Sequence, residues 1–208
     1  KFRYLQIFMN KKVHNFSAGP SILPDKVFEQ ASSAIKDFNN SSLSILEISH
    51  RSKDFIEVLE EARSTALEIA ELNKDEYTCL YLQGGASLQF LMTAYNFLNN
   101  NAAYINTGSW STKAIKEAKM FGNVSEIASS ADKNFNYIPK DLSLNESYDY
   151  LHLTSNNTIY GTQFHSFPDV DYPLFADMSS DIFSRKFNFS KFDLIYAGAQ
   201  KNLGPAGV

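Results

Sequence analysis

Residues 193–207 read DLIYAGAQKNLGPAG, an apolar strand that delivers a single lysine, Lys201, into a glycine-rich turn. A lysine at the mouth of a buried strand can lose part of its hydration, which lowers the pKa of the amine and frees it to form a Schiff base with a carbonyl group. Most lysines at strand ends are ordinary surface residues, however, so Lys201 alone indicates little. A second residue is needed before this stretch predicts chemistry.

That second residue is Asp177, which closes an earlier apolar strand at Leu174–Ala176. An enzyme that uses pyridoxal phosphate needs a lysine for the Schiff base and a carboxylate for the pyridinium nitrogen of the cofactor. Lys201 and Asp177 supply these two groups on successive strand ends. The pair therefore predicts pyridoxal phosphate chemistry.

Strand and helix patterns alternate along the chain, which predicts an α/β fold. Apolar residues recur at helical spacing after Pro24 and after Ser52, and further helical patterns span about residues 86–98 and 111–121. The polar stretch Ala128–Tyr148 is interpreted as surface loops. Short connections favour a mostly parallel sheet with helices on both faces. The strand-like runs are Thr78–Leu82, Ala102–Ile105, Tyr150–Leu153, Pro173–Ala176 and Asp193–Tyr196.

Composition limits the class of protein. The chain has 208 residues, 44% of them hydrophobic, so it can bury a core as one large domain or most of one. Its net charge of −4, with basic residues scattered singly, argues against a nucleic-acid partner and an anionic membrane surface. No apolar run approaches the ~18 residues of a membrane span. The single cysteine, Cys79, favours a reducing compartment. We expect a soluble, cytoplasmic protein.

The two ends of the chain are interpreted separately. Residues 1–8 mix basic and apolar side chains, but their apolar part is too short for a signal peptide. Met9 suits a natural start, so residues 1–8 are interpreted as an upstream extension. No domain boundary is visible within residues 13–208. The chain stops just after the Lys201 turn, where another strand is expected, and is interpreted as a fragment.

Seven stretches in order carry a resemblance to a known family. The chain resembles phosphoserine aminotransferases, which are fold-type I, class V enzymes dependent on pyridoxal 5′-phosphate, over about residues 13–208. The resemblance implies the N-terminal segment and most of the cofactor-binding large domain, truncated before a small C-terminal domain. The stretches are NFSAGP at 15–20, EISHR at 47–51, QGGASLQF at 83–90, TGSW at 107–110, NTIYG at 157–161, ADMSS at 176–180 and YAGAQKNLGPAG at 196–207.

The phosphate of the cofactor is expected where a strand gives way to a helix near residues 84–87. Free backbone N–H groups and the helix dipole can hold an anion there, although a Gly-Gly turn is more often just a turn. The resemblance assigns phosphate contacts to Ala86, Ser87 and Gln200. Some family members carry glycine then arginine at the first two positions, and this chain lacks that arginine.

The remaining cofactor contacts also follow from the resemblance. Trp110 would stack on the pyridine ring, and Thr158 would face its phenolic oxygen. The structural alternatives are core packing for the tryptophan and a turn threonine bonded to its own backbone. Asp177 would keep the ring nitrogen protonated. Lys201 would anchor the cofactor and then move the proton at the substrate Cα as base and acid. No metal is implied.

The substrate is expected to be doubly anionic. By resemblance, Arg51, with His50 beside it, binds the side-chain carboxylate of glutamate or the phosphate of phosphoserine; a charged pair before a helix is otherwise usually solvated. Some family members carry serine where this chain has Ala18, so one minor hydroxyl contact is missing. The substrate assignment therefore depends on Arg51.

The resemblance implies a phosphoserine:2-oxoglutarate aminotransferase, which makes phosphoserine from 3-phosphohydroxypyruvate and glutamate in serine biosynthesis. Phosphohydroxythreonine of vitamin B6 synthesis is a further possible substrate. The family is homodimeric, and its α-carboxylate ligands belong to the absent C-terminal part. The alternatives are an alanine–glyoxylate type transaminase, a cysteine desulfurase, or a cofactor-free scaffold protein. Intact Lys201 and Asp177 argue against the scaffold.

Overall fold

A computed structural model describes residues 13–207, so the predicted extension at residues 1–8 lies outside the described residues. The helices are α1 (Asp25–Lys36), α2 (Lys53–Ile69), α3 (Gly85–Phe97) and α4 (Ser109–Ala118). The strands are β1 (Asn101–Asn106), β2 (Asn123–Ser129), β3 (Leu151–Thr154), β4 (Asn156–Asn157), β5 (Thr162–Gln163), β6 (Leu174–Asp177) and β7 (Leu194–Tyr196). Short 3-10 turns lie at Ala131–Lys133 and Phe189–Lys191.

Five parallel strands form the central sheet in the order β2-β1-β3-β6-β7. Every residue of β3 and β6 is buried, as expected for parallel strands that are covered on both faces. In register, Asp177 lies between Thr154 on β3 and Tyr196 on β7. The carboxyl ends of the strands consequently share one edge of the sheet.

The two faces of the sheet are covered differently. On one face, α3 and α4 pack against large aromatic side chains, among them Tyr104, Tyr150 and Phe175. On the other face, aliphatic side chains such as Leu151 and Leu153 pack against phenylalanine side chains of residues 164–192. They also pack against Ala70, which lies just after α2. This arrangement confirms the predicted α/β class with a mostly parallel sheet.

The helix predictions are confirmed, and four of the five strand predictions are confirmed. The fifth, Thr78–Leu82, is wrong, because these residues pair with no described strand and leave Leu80, Tyr81 and Leu82 exposed. An apolar run becomes a strand only where a neighbouring strand accepts its hydrogen bonds. The sequence analysis missed β2, whose residues NVSEIAS lack an apolar run because it lies at the sheet edge. Ala128 and Ser129 close this strand, and residues 130–148 are largely irregular as predicted. Among residues 13–207, no helix is long and apolar enough to cross a membrane.

Candidate active site

Four strands bring the predicted cofactor residues to the carboxyl edge of the sheet. Each residue lies at a strand end or in the segment that follows the strand. These are Trp110 in the first turn of α4 after β1, Thr158 directly after the short β4 that follows β3, Asp177 at the end of β6, and Gln200 and Lys201 after β7. Parallel pairing places these turns side by side, which is where α/β proteins commonly bind ligands. We call this edge the candidate site.

Lys201 occupies the turn after β7 with a half-buried side chain. Its Nζ lies 5.9 Å from the centroid of the Trp110 ring. Its positive charge also acts on Asp177, lowering the pKa of that carboxyl against the opposing effect of burial. The lysine thus lies near the tryptophan and interacts electrostatically with the carboxylate, while the predicted catalytic roles stay predictions.

Asp177 is 4% exposed, and one of its carboxylate oxygens is fixed by a neighbour. Oδ1 accepts hydrogen bonds from the backbone N–H of Ser179 at 3.0 Å and from its hydroxyl at 2.6 Å. Burial raises the pKa of Asp177, because a charged carboxylate is poorly hydrated there, while the Ser179 bonds and Lys201 oppose that rise. A cation placed beside the carboxylate would therefore be strongly favoured.

Ser179 also connects Asp177 to the lysine turn. Its Oγ accepts a hydrogen bond from the backbone N–H of Gly198 at 3.0 Å. One serine thus fixes both the carboxylate on β6 and the backbone just before Lys201. This side chain therefore adds to the pairing of β6 and β7 in holding the two catalytic candidates at a fixed spacing.

The first turn of α3 supplies backbone donors. Gly84 and Gly85 have φ values of 96° and 61°, a left-handed conformation that glycine adopts without strain. The N–H groups of Ala86 and Ser87 then fall in the first turn, where a helix offers them no acceptor. These donors and the helix dipole suit a phosphate.

The α3 terminus lies against the lysine turn at Gly198. A Cβ added to Gly198 would lie 3.0 Å from Gln200 Oε1 and 3.5 Å from the Ala86 Cβ. The predicted phosphate residues Ala86 and Gln200 are therefore neighbours across this glycine. The exposed Ser87 follows on the same helical turn.

The turn before α4 is tied to the turn after β3. Ser111 Oγ accepts hydrogen bonds from the N–H groups of Thr107 and Gly108, both at 2.9 Å. Thr107 Oγ1 donates to Asn157 Oδ1 at 3.2 Å. Asn157 immediately precedes Thr158, so the tryptophan and the threonine are held on one scaffold.

The structure can be compared with the two structural alternatives, core packing for Trp110 and a turn threonine bonded to its own backbone for Thr158. Thr158 makes no hydrogen bond to its own backbone among the described residues, so the turn-threonine alternative is not seen. Trp110 is half-buried and packs against the core cluster that contains Tyr104 and Tyr150, as the core-packing alternative expects in part, and the ammonium of Lys113 lies 4.4 Å from its ring centroid. Both side chains remain available to a ligand at the candidate site.

His50 and Arg51 are not brought to the candidate site within residues 13–207. Both side chains are exposed, and neither has a hydrogen bond, ion pair or ring contact with a described residue. The backbone N–H of Arg51 donates to Ser49 Oγ at 3.1 Å, which shapes the turn before α2. Their predicted role in substrate binding stays a prediction.

A buried aromatic cluster lies under Asp177 on the same face of the sheet. His152 Nε2 lies 2.9 Å from the hydroxyl of Tyr196, the register partner of Asp177. The His152 ring stacks on Tyr104 with centroids 4.8 Å apart. Burial lowers the pKa of His152 to about 3, so the imidazole is neutral at physiological pH. This neutral cluster adds no positive charge that would compete for Asp177.

Sequence reasoning missed several residues that shape the candidate site. Ser179 could have been found, because an aspartate followed two residues later by a serine is a common turn pattern. Asn157 and Ser111 were missed because side chains in turns give no periodic signal. Ser21, which contacts the lysine turn from 180 positions away, has no local signal at all.

Comparisons with known proteins identify the family and support the fold. The family model for class-V aminotransferases matches residues 13–208. A phosphoserine aminotransferase of Flavobacterium johnsoniae is 61% identical over 199 residues, covering 95% of this chain and 56% of that protein. A phosphoserine aminotransferase structure solved to study radiation damage of its Schiff base is 48% identical, with a TM-score of 0.90, and covers 94% of this chain and 55% of that one.

A third relative carries the cofactor. The PLP-bound phosphoserine aminotransferase of Trichomonas vaginalis is 35% identical with a TM-score of 0.86, and the match covers 93% of this chain and 55% of that one. The present chain thus spans about half the length of the proteins that it matches.

Proposed function

The chain belongs to the class-V aminotransferase family, and from this membership we propose that it is the large-domain portion of a phosphoserine:2-oxoglutarate aminotransferase dependent on pyridoxal 5′-phosphate. The observation that carries the proposal is the convergence of Lys201, Asp177 and Trp110 at the candidate site, with the free N–H groups of α3 beside them. We propose that the whole protein makes phosphoserine from 3-phosphohydroxypyruvate and glutamate in the cytoplasm.

The residues present fit the proposed cofactor. A phosphorylated pyridine aldehyde needs an amine, an anion for its ring nitrogen, a flat apolar surface and phosphate donors. Lys201, Asp177 and Trp110 supply the first three. The N-terminus of α3 supplies the donors, and the buried Asp177 carboxylate gains most from a cationic partner. Ala86, Ser87, Gln200 and Thr158 complete the proposed contacts.

Each residue then has a chemical task. Pyridoxal 5′-phosphate, when bound, supplies an aldehyde that captures amino groups and a ring that withdraws electrons from the substrate Cα. Lys201 would first hold the cofactor through its amine and, once released, would take the proton from the substrate Cα as a general base and deliver it to C4′ of the cofactor as a general acid. Asp177 holds a proton on the ring nitrogen. Trp110 fixes the ring plane by stacking.

We propose that the distal anion of glutamate or phosphoserine is bound by Arg51, with His50 beside it. A guanidinium group matches both carboxylate and phosphate with paired, charge-assisted hydrogen bonds. Because neither side chain contacts the candidate site within one chain, this role requires a site that another copy or further sequence completes. A homodimer is therefore part of the proposal.

The visible absorption spectrum of the full-length protein tests the reaction class. We expect a band with added pyridoxal 5′-phosphate that changes when glutamate or phosphoserine is supplied and recovers with 2-oxoglutarate. A cofactor-free scaffold protein would show no band. An alanine–glyoxylate type transaminase would respond to alanine as strongly as to phosphoserine.

Arg51→Ala tests the substrate class. We expect productive use of glutamate and of phosphoserine to weaken by about 2–5 kcal/mol, because a charged substrate group loses its partner. Alanine, which has no distal anion, serves as the internal control on the same two proteins and should be equally poor with both. If phosphoserine and alanine fell by the same factor, Arg51 would be a structural residue and the phosphoserine assignment would lose its support.

A further inference from the structure

The N-terminal segment Ser17–Ser21 lies across the lysine turn. The backbone N–H of Ser21 donates to the carbonyl of Gln200 at 3.2 Å. The Ser21 hydroxyl donates to the carbonyl of Lys201 at 2.6 Å. One serine therefore holds two successive carbonyl groups of the lysine turn, at the very residue on which the proposed function depends.

Gly19 makes a second contact, with the side chain of the lysine rather than its backbone. A Cβ added to Gly19 would lie 2.8 Å from Cγ of Lys201 and 3.1 Å from its Cε. The φ of Gly19 lies outside the left-handed range, so its backbone would accept an alanine but the space would not. The glycine is needed because the stem of Lys201 packs directly on its Cα.

We propose that Ser17–Ser21, which we call the lysine strap, is a positioning element for Lys201. Ser21 fixes the backbone of the turn, and Gly19 fixes the path of the lysine stem. The proposal builds on the proposed function, in which Lys201 is the reacting amine. Neither Gly19 nor Ser21 is proposed to touch the cofactor.

The physical need for such an element follows from lysine itself. A lysine stem has four rotatable bonds, and a flexible amine spends little time at the position where it reacts. With one side of the stem against Gly19, the amine is directed toward Trp110, 5.9 Å from its ring centroid, and toward Asp177. The strap thus restricts the amine to the side of the candidate site.

Ser21→Ala tests the hold on the backbone. In the full-length protein, hydrogen exchange of the Leu203 and Gly204 amides, which both donate to Ala199 within the turn, reports how often the turn opens. We expect exchange to become about 3- to 10-fold faster, as for the loss of one hydrogen bond. Ser21→Thr, which keeps a hydroxyl, should restore the protection. The control Ser184→Ala removes a similar bond, 2.7 Å to Asp181 O, and should leave these amides unchanged.

Gly19→Ala tests the contact with the stem. We expect the concentration of pyridoxal 5′-phosphate that gives half of the visible band to rise about 10-fold, because the lysine must leave its path. Gly122→Ala is the matched control, since its added Cβ would lie 3.0 Å from Leu98 Cγ, away from the lysine turn. This control should bind the cofactor as the unchanged protein does.

The outcomes separate the strap from the proposed function. If Ser21→Ala and Gly19→Ala both behave like their controls, the strap proposal is overturned. If the unchanged protein forms no visible band with the cofactor while Ser21→Ala still speeds exchange in the turn, the proposed function fails and the hold of Ser21 on the turn stands.

Discussion

The N-terminal region, residues 13–84, and the sheet region, residues 85–207, differ sharply in how their apolar side chains are covered. No residue of α1 or α2 is buried, whereas every residue of β3 and β6 is. Phe28 and Ile35 of α1 are 55% and 49% exposed, although both belong to an apolar helical pattern. Leu151 and Leu153 of β3 are fully buried.

The difference shows that the sheet region covers most of its own apolar side chains, whereas α1 and α2 do not. In the sheet region, parallel pairing satisfies the backbone hydrogen bonds, and α3, α4 and aromatic side chains of residues 164–192 cover the apolar faces of the sheet. The helices α1 and α2 leave apolar side chains exposed within the described residues. The regions meet at two main places, where the lysine strap crosses the turn and where Ala70 enters the core. The candidate site lies at the first of these.

Lys201→Ala has the largest expected effect. It tests whether the amine that reacts with the cofactor lies in the sheet region. We expect loss of the borohydride-trapped adduct with added pyridoxal 5′-phosphate and a fall in turnover of roughly 10³-fold or more, because the amine is both anchor and base. Lys113→Ala is the matched control, because Lys113 also lies over Trp110 but not on the lysine turn. Trapping at another lysine in Lys201→Ala would overturn the assignment.

Leu153→Ala and Ile35→Ala measure the contrast between the regions directly. The first should lower the free energy of unfolding by about 3 kcal/mol, since it opens a cavity in a fully buried core. The second should cost under about 1 kcal/mol, because Ile35 is half-exposed. Urea denaturation of the two variants checks both values. Equal losses of unfolding free energy in the two variants would mean that another surface covers α1. The two regions would then not differ in how their apolar side chains are covered.

Asp177→Asn separates catalysis from stability at the candidate site. Turnover should fall by roughly 10²-fold, because the ring nitrogen loses its ionic partner. Burial raises the pKa of Asp177, so its charged form costs folding free energy above the pKa of an unfolded aspartate and costs nothing below it. The cofactor-free variant should therefore melt no lower than the unchanged protein at neutral pH. A lower melting temperature or a near-normal turnover would contradict this account.

His152 provides a pH test of how completely water is excluded from the sheet region. Burial lowers the pKa of this histidine from 6.5 to about 3, so its contribution to stability is present above pH 6.5 and is lost as the pH falls toward 3. Between pH 7 and pH 5 this loss amounts to about 2 kcal/mol.

Two variants in the buried aromatic cluster isolate the contribution of His152 to the pH dependence of stability. His152→Gln should flatten the fall in unfolding free energy between pH 7 and pH 5, measured by denaturant titration. Tyr196→Phe should keep the fall, because burial rather than the 2.9 Å contact with Tyr196 is the cause. An unchanged pH dependence in His152→Gln would show that this ring is hydrated.

Much of the fold could be predicted because helix starts and apolar patterns are visible in short stretches of the sequence. The helices α1 and α2 follow Pro24 and Ser52, and Ser52 Oγ does accept the N–H of Phe55 at 3.3 Å as a helix cap. Edge strand β2 escaped prediction because its outward side chains are polar. The false strand Thr78–Leu82 shows the converse, since its apolar pattern is real but no described strand lies beside it.

The sequence by itself determined which residues stand at most strand ends, and its family resemblance predicted Lys201, Asp177 and Trp110 as members of one site. Motif order and apolar runs are local properties, so they can be read from the chain without knowing what packs where. Only the tertiary structure decided what holds those residues. Ser179 joins β6 to the lysine turn, and Ser21 reaches that turn across 180 positions. Hydrogen bonds between such distant residues depend on how the elements pack, and packing leaves no periodic trace in the sequence.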